Sequence, residues 1–262
     1  MTKILAIIQA RMGSTRLPNK VLMDLAGKSN LERVVERVQK SQYITDIVVA
    51  TTICEHDLPI VKFCAEKNIR VFCGSENDVL DRYYQCARLL NPEHVVRITA
   101  DCPLIDPEII DKVISAHLQS KADYTSNTLK TTYPDGLDVE IMKYSVLKDT
   151  WMHADKLSQR EHVTQYIIHN DSYLKTSVEN EVDYGSERWT LDTPNDYEFI
   201  RSIYESLYLE KPEFSMQDVI DYLNKFPTLR SINSNSERNE GLTKSLKNDK
   251  LVDLSDKLGE MR

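Results

Sequence analysis

The chain has 262 residues, of which 41% are hydrophobic and 28% charged, with a formal net charge of −8. That is enough apolar material for one large α/β domain or two small ones, without disulfides or a structural metal. A broad basic surface of the kind that wraps a long nucleic acid is excluded, while a few clustered Arg and Lys can still hold a small anion.

Cys54, Cys64, Cys73, Cys86 and Cys102 are odd in number and form no Cys-x-x-Cys pair. This argues against a disulfide framework or a zinc ribbon, fits a reducing cytoplasm and makes the five small apolar fillers. The apolar run Ile4 to Ile8 is too short for a signal-peptide core, and no stretch reaches membrane-spanning length. The expectation is a cytoplasmic protein with neither a membrane nor a nucleic-acid partner.

In chain order, Ile4 to Ile8 reads as a strand buried on both faces, and Arg11 to Lys20, with Gly13, Ser14 and Pro18, as a loop. Leu31, Val34, Val35 and Val38 recur at helical spacing, and Asp46 to Thr51 is a second strand. A helix follows through Ile60, Val61 and Cys64, then a strand over Arg70 to Cys73. Next come a helix over Val79 to Leu90, with Asp78 as N-cap, and a strand over His94 to Ile98. Such alternation specifies a doubly wound, mostly parallel α/β sheet, Rossmann-like, with ligands at the carboxyl ends of its strands.

After Asp123 the pattern changes. Leu137 to Met142 suits an antiparallel strand, Tyr144 to Ala154 and Arg160 to His169 suit helices, and Glu187 to Leu191 is strand-like. Pro194 to Leu207 and Ser215 to Asn224 read as helices, Pro194 at a first helical position and Ser215 as a cap. The expected organisation is one domain over 1–230, with an antiparallel accessory lobe at about 130–185. Residues 231–262 form a polar tail, mobile or ordered only by docking.

Four constellations carry chemistry. In the first, a strand delivers Gln9 and Ala10 into a loop with Arg11, Gly13, Ser14, Thr15, Arg16 and Lys20. Gly13 admits close backbone approach, successive amides can form an anion nest, and the three cations would repel one another without a polyphosphate between them. The second places Asp101 at a strand end after Thr99 and Ala100 and before Cys102-Pro103. A carboxylate there suits Mg²⁺ or is simply a loop or cap residue. The third delivers Asp192 before Thr193-Pro194, either as a second metal carboxylate or as part of a helix cap. In the fourth, Asp138 and Glu140 follow the turn at Asp135-Gly136 and share one face of a strand, suited to sugar hydroxyls, an amine or metal. Arg160, Glu161 and His162 form a further polar run, suited to a polar ligand or to completing a neighbouring subunit's site, His162 having the alternative of only a local hydrogen bond.

Arg11 to Leu22 resembles the nucleotide-binding loop of the CMP-sugar-acid synthetases, such as the 3-deoxy-manno-octulosonate and acylneuraminate cytidylyltransferases. It is closer still to the spore coat polysaccharide synthesis cytidylyltransferases, through the pattern Arg-x-x-Ser-Thr-Arg-Leu-Pro-x-Lys. The runs around Asp101, Asp192, Asp135 to Glu140 and Arg160 to Thr164 extend the resemblance over roughly 3–230, with Cys102-Pro103 where the families often carry Glu-Pro. Arg238-Asn239-Glu240-Gly241-Leu242 resembles a tail motif of the same group, with no assignable role.

The resemblance implies the nucleotide-diphospho-sugar transferase fold, a homodimer, and Mg²⁺-dependent transfer of CMP from CTP to a sugar acid or related sugar in surface glycan biosynthesis. Arg11, Arg16, Lys20, Asp101 and Asp192 would be catalytic, the last two holding Mg²⁺. Gln9, Ala10, Gly13, Ser14, Thr15, Thr99 and Ala100 would line the nucleotide, and Asp135, Asp138, Glu140, Arg160, Glu161 and His162 the sugar. Two alternatives stay open: a GTP- or UTP-dependent sugar-1-phosphate nucleotidyltransferase, and a non-catalytic nucleotide- or sugar-binding module. Neither Gly-x-Gly-x-x-Gly nor Gly-x-x-x-x-Gly-Lys-[Ser/Thr] occurs, which excludes a dinucleotide dehydrogenase and a P-loop NTPase.

Overall fold

A computed structural model describes residues 2–234 and 238–252. The first half alternates as the residue pattern dictates. β1 (Ile4–Gln9) leads through the Arg11–Lys20 loop to a two-strand hairpin, β2 (Asp24–Leu25) and β3 (Lys28–Ser29). Then follow α1 (Asn30–Val38), β4 (Asp46–Thr52), α2 (Leu58–Glu66), β5 (Val71–Gly74), α3 (Val79–Leu90), β6 (His94–Thr99) and α4 (Pro107–Ser120). Side chains start these helices: Ser29 accepts from the Glu32 amide, Asp78 from Asp81 and Asp106 from Glu108.

The second half contributes β7 (Tyr124–Ser126), β8 (Glu140–Lys143), α5 (Tyr144–His153), α6 (Leu157–His162), α7 (Gln165–Ile168) and β9 (Lys175–Ser177). It continues with α8 (Pro194–Leu207), α9 (Met216–Lys225) and α10 (Glu240–Lys247). The seven-stranded sheet runs β5-β4-β1-β6-β8-β7-β9. The first four strands are parallel; β8 is antiparallel to both β6 and β7, and β9 is parallel to β7.

β1 lies at the centre of the parallel half and feeds both cores. Ile4, Ala6 and Ile8 pack with α1, α4 and α8, whereas Leu5 and Ile7 pack with α3 and α5. Burial of both faces explains why the sequence shows a continuous apolar run there instead of alternation.

Several expectations about the second half need correction. The strand expected over Leu137 to Met142 is confined to Glu140–Lys143. Glu187 to Leu191 is extended but forms only a bridge, from Arg188 to Asp135. The helix expected over Arg160 to His169 is broken into α6 and α7 at Val163, which has φ +59°. A β-branched residue is strained there. Val163 is wholly buried, and the next hydroxyl, Thr164 Oγ1, donates to Glu140 at 2.7 Å, so packing on both sides imposes the break. The hairpin β2–β3, α4, β7 and β9 have no counterpart in the sequence reading. Of the five cysteines, Cys64, Cys86 and Cys102 are buried fillers, but Cys73 is exposed and Cys54 half-buried.

Candidate active site

The site is built at the carboxyl ends of β1 and β6. After Gln9 the chain leaves the sheet, pinned by the Met12 amide donating to Asp57 Oδ1 (2.6 Å) and by Leu17, which plugs into the core. Arg11, just before the first anchor, and Gly13, Thr15 and Arg16 between the two are exposed, and Ser14 is half-exposed, its hydroxyl accepting from the Leu17 amide at 3.3 Å. Asn19, in the left-handed region (φ +61°), then turns the chain so that Lys20 points back under the loop. Gln9 Oε1 is buried with no hydrogen-bond partner, a polar atom left open at the strand end. Arg11 makes no ion pair among the described residues.

Lys20 Nζ donates to Asp101 Oδ2 at 2.8 Å and to Asp192 Oδ1 at 2.7 Å. The loop and the two carboxylates, far apart in sequence, therefore meet at one ammonium. Burial works against the charge of Lys20, but Asp101 and Asp192 outweigh it and raise its pKa. Burial alone would raise Asp101, yet the Lys20 ammonium, with help from Thr99, holds it at about 2. Thr99 ends β6, and the carbonyl of Ala100 accepts from the buried Asn30 side chain at 2.7 Å, which fixes the chain just before Asp101.

Asp192 reaches this point because the 188–192 segment is stitched to its neighbours. The Leu191 amide donates to the Asp101 carbonyl (2.8 Å), and the Asp135 amide to the Glu187 carbonyl (2.9 Å). Gly136 makes the stitching possible. It has φ +109°, and a Cβ there would lie 2.5 Å from the Trp189 carbonyl carbon. Arg188 then organises three acids, donating to Asp135 (3.1 Å), Asp192 (3.3 Å) and the fully buried Asp196 (3.0 and 3.1 Å). Asp196 closes a capping box with Thr193 at the start of α8. The cap and the cleft carboxylate are thus two different acids, and Asp192 remains turned to Lys20.

Asp135 and Asp138 lie along the same cleft. Desolvation raises the pKa of Asp135 against the pull of Arg238 and Arg188, and pushes Asp138 up to about 7 against the pull of Arg238. The other sugar-site candidates are elsewhere. Glu140 is buried, ion-paired with Arg97 and accepting from Tyr124 Oη (2.6 Å) and Thr164 Oγ1 (2.7 Å). Arg160 is buried too, its guanidinium spent on Asp78 and the Trp151 carbonyl. Both are interior polar residues whose hydrogen bonds run to other groups of the protein, against the expected contact with a sugar. Glu161 and His162 face the tail: Ser245 Oγ donates to Glu161 Oε2 (2.6 Å) and lies 3.0 Å from His162 Nε2. Arg188 and Asn30 escaped the sequence reading, and Arg238 stood there only in a tail motif without a role. The Thr-x-x-Asp spacing from Thr193 is a signal that finds Asp196, as a capping residue.

A mostly parallel sheet with this loop and these carboxylates at its switch edge is the Rossmann-like nucleotidyltransferase fold. Residues 5–222 match the family model described as cytidylyltransferase, and the chain belongs to that family. It is 38% identical over 236 residues to an uncharacterised protein of Methanocaldococcus jannaschii, covering 89% of this chain and 95% of that one. It is 35% identical over 235 residues to the spore coat polysaccharide biosynthesis protein SpsF of Bacillus subtilis, covering 87% and 96%. A solved cytidylyltransferase structure from Leptospira borgpetersenii superposes with a TM-score of 0.82 at 33% identity, covering 91% of this chain and 99% of that one.

Proposed function

We propose that the protein transfers CMP from CTP to a sugar acid or related sugar, releasing pyrophosphate, as a step in making a surface polysaccharide or glycan. The observation that carries this reading is the Lys20 ammonium held between Asp101 and Asp192 beneath an exposed loop bearing Arg11 and Arg16. The relatives supply the rest: the family is cytidylyltransferase, and SpsF is described as a polysaccharide biosynthesis protein.

The donor set suits Mg²⁺. Asp101 and Asp192 offer only carboxylate oxygens, and a cation already bridges them in the form of Lys20 Nζ. A metal held by these two would supply charge neutralisation at the α-phosphate and a lowered pKa for the attacking hydroxyl.

The chain's own residues do the positioning. Loop backbone and the Ser14 and Thr15 hydroxyls seat the phosphates, and Arg11 and Arg16 neutralise them. Lys20, freed from one carboxylate, turns its remaining donors to the departing pyrophosphate. Asp135 and Asp138 take acceptor hydroxyls and set the attacking oxygen in line with the α-phosphorus. That oxygen gives up its proton to solvent and forms the new P–O bond as the bond to the bridging oxygen of pyrophosphate breaks.

Pyrophosphate release should be assayed with Mg²⁺, each of the four nucleoside triphosphates and a panel of sugar acids and sugar phosphates. CTP-dependent release with one acceptor is the expected result. Release with GTP or UTP and a sugar 1-phosphate would move the base assignment but keep the site. Absence of Mg²⁺-dependent binding of any nucleotide by calorimetry would end the transferase reading. A homodimer in the cytoplasm is part of the proposal; no helix among the described residues is long and apolar enough to cross a membrane. Light scattering at micromolar concentration tests the dimer.

A further inference from the structure

The tail motif Arg238-Asn239-Glu240 returns to the cleft. Arg238 donates to Asp138 Oδ1 (2.7 Å) and to the Tyr133 carbonyl (3.1 Å), beside the acceptor carboxylates. Glu240 Oε2 accepts from Arg16 at 2.5 Å. The second acidic partner of Arg16 is Asp192, at 3.3 Å. The tail therefore places a carboxylate on the cation that the proposed function reserves for phosphate.

Its attachment is unequal along its length. At the far end it is tied by backbone: Leu157 donates to the Lys250 carbonyl (2.9 Å) and Val252 to the Asp155 carbonyl (2.7 Å). Asp249 adds two bonds from Ser158, at 3.0 and 2.8 Å. At the near end the contacts described above are made by side chains, Ser245 forms the middle pin, and α10 buries no residue. The Arg16–Glu240 pair is itself solvent-exposed, at 41% and 60% of the side chains. Exposed ion pairs of this kind are weak. The apolar hold on α10 is slight, Leu242 being half-buried and no residue of the helix buried, while the far ladder keeps it from leaving altogether.

We propose that Glu240 occupies an anion subsite at Arg16 that takes a nucleotide phosphate, so that α10 is a tethered strap competing with the phosphates and lifted by them. The proposal rests on the nucleotide reading of the loop.

Calorimetry with Mg²⁺ and either CTP or inorganic triphosphate tests it on the full chain. Glu240→Gln should bind both probes about two- to fivefold more tightly than wild type, the range that loss of an exposed ion pair allows. Ser245→Ala alters no charge and does not touch Arg16; it should tighten binding in the same direction by loosening the strap. Hydrogen exchange of amides 240–247 should speed up when either probe is bound. Equal or weaker binding by Glu240→Gln would overturn the proposal. So would slowed exchange in α10, which would mean that the tail clamps down on the ligand. Triphosphate binding without binding of any nucleotide would sink the cytidylyl reading while leaving the subsite established.

Discussion

Two clusters in this molecule pair a cation with carboxylates to opposite ends. At the mouth of the cleft, Lys20 joins Asp101 and Asp192, whose side chains keep 27% and 21% of their exposure. Deeper in the sheet, where β6 pairs with β8, Arg97 joins Glu140, whose side chain keeps 6%. The difference lies in what else satisfies the acids. Glu140 also accepts from Tyr124 and Thr164, and burial of Arg97 is outweighed by its pairing with Glu140, which raises its pKa. In the outer cluster Asp101 and Asp192 share the Lys20 amine, with Arg16 and Arg188 at 3.3 Å from Asp192, and both acids stay partly open to solvent. The inner cluster can only be a fastener, whereas the outer one can exchange its partner for a ligand.

The largest expected effect comes from breaking the inner cluster. Glu140→Ala strands the Arg97 guanidinium without its counter-ion and should cost about 3–5 kcal/mol in stability, measured by urea unfolding. Glu140→Gln, which can still accept from Tyr124 and Thr164, should cost less. If Glu140→Ala unfolds at wild-type urea but loses acceptor turnover, Glu140 belongs to the sugar site after all.

Asp101→Asn probes the outer cluster and should invert the pattern. Turnover should fall by about 10²- to 10³-fold, the scale seen when one electrostatic contact to a transition state is removed. Stability should stay within about 1 kcal/mol of wild type, because the pair is partly exposed and the bond from Leu191 goes to the Asp101 backbone. Near-wild-type turnover at limiting Mg²⁺ would remove Asp101 from the metal assignment.

The same contrast explains what the sequence disclosed. The parallel half was legible because each strand is a short apolar run and each helix announces itself by spacing and cap: Asp78 and Val79–Leu90 fall where the residues place them. The loop from Arg11 to Lys20 stood out because three cations crowd together after an apolar run, and beside it the strand-end acids Asp101 and Asp192 gained weight over the cap reading open to each alone. Past Asp123 that logic still placed the helices at Tyr144, Pro194 and Ser215, but it failed for the strands and the buried charges. Glu140 and Arg160 are charges in apolar surroundings too, but their partners Arg97 and Asp78 lie 43 and 82 residues away, and no local pattern reports such pairing. The break at Val163 is likewise set by packing that the residue order does not display. Arg238 and Glu240 were visible as a motif, yet only the folded chain shows that they reach Asp138 and Arg16.

Asp138 lies between the two clusters in character, and its titration sharpens the comparison by a smaller effect. Its pKa rises from the ordinary 3.8 to about 7, first through desolvation and against the pull of Arg238. Below about pH 7 it carries a proton; above, it is the carboxylate to which the proposed function gives acceptor hydroxyls. The acceptor KM should therefore fall as pH rises through about 7. Stability should move the other way. A carboxyl whose pKa is raised by folding contributes stability that is complete below about pH 4 and is lost as pH climbs to about 7. Asp138→Asn should flatten both trends. Arg238→Gln removes the cation that lowers Asp138, so the limb in KM should move to higher pH. The nucleotide's own phosphates also titrate near neutrality, but their contribution persists in Asp138→Asn and can be subtracted. A limb that survives unchanged in Asp138→Asn would assign the whole pH dependence to the nucleotide and leave Asp138 as another fastener, like Glu140.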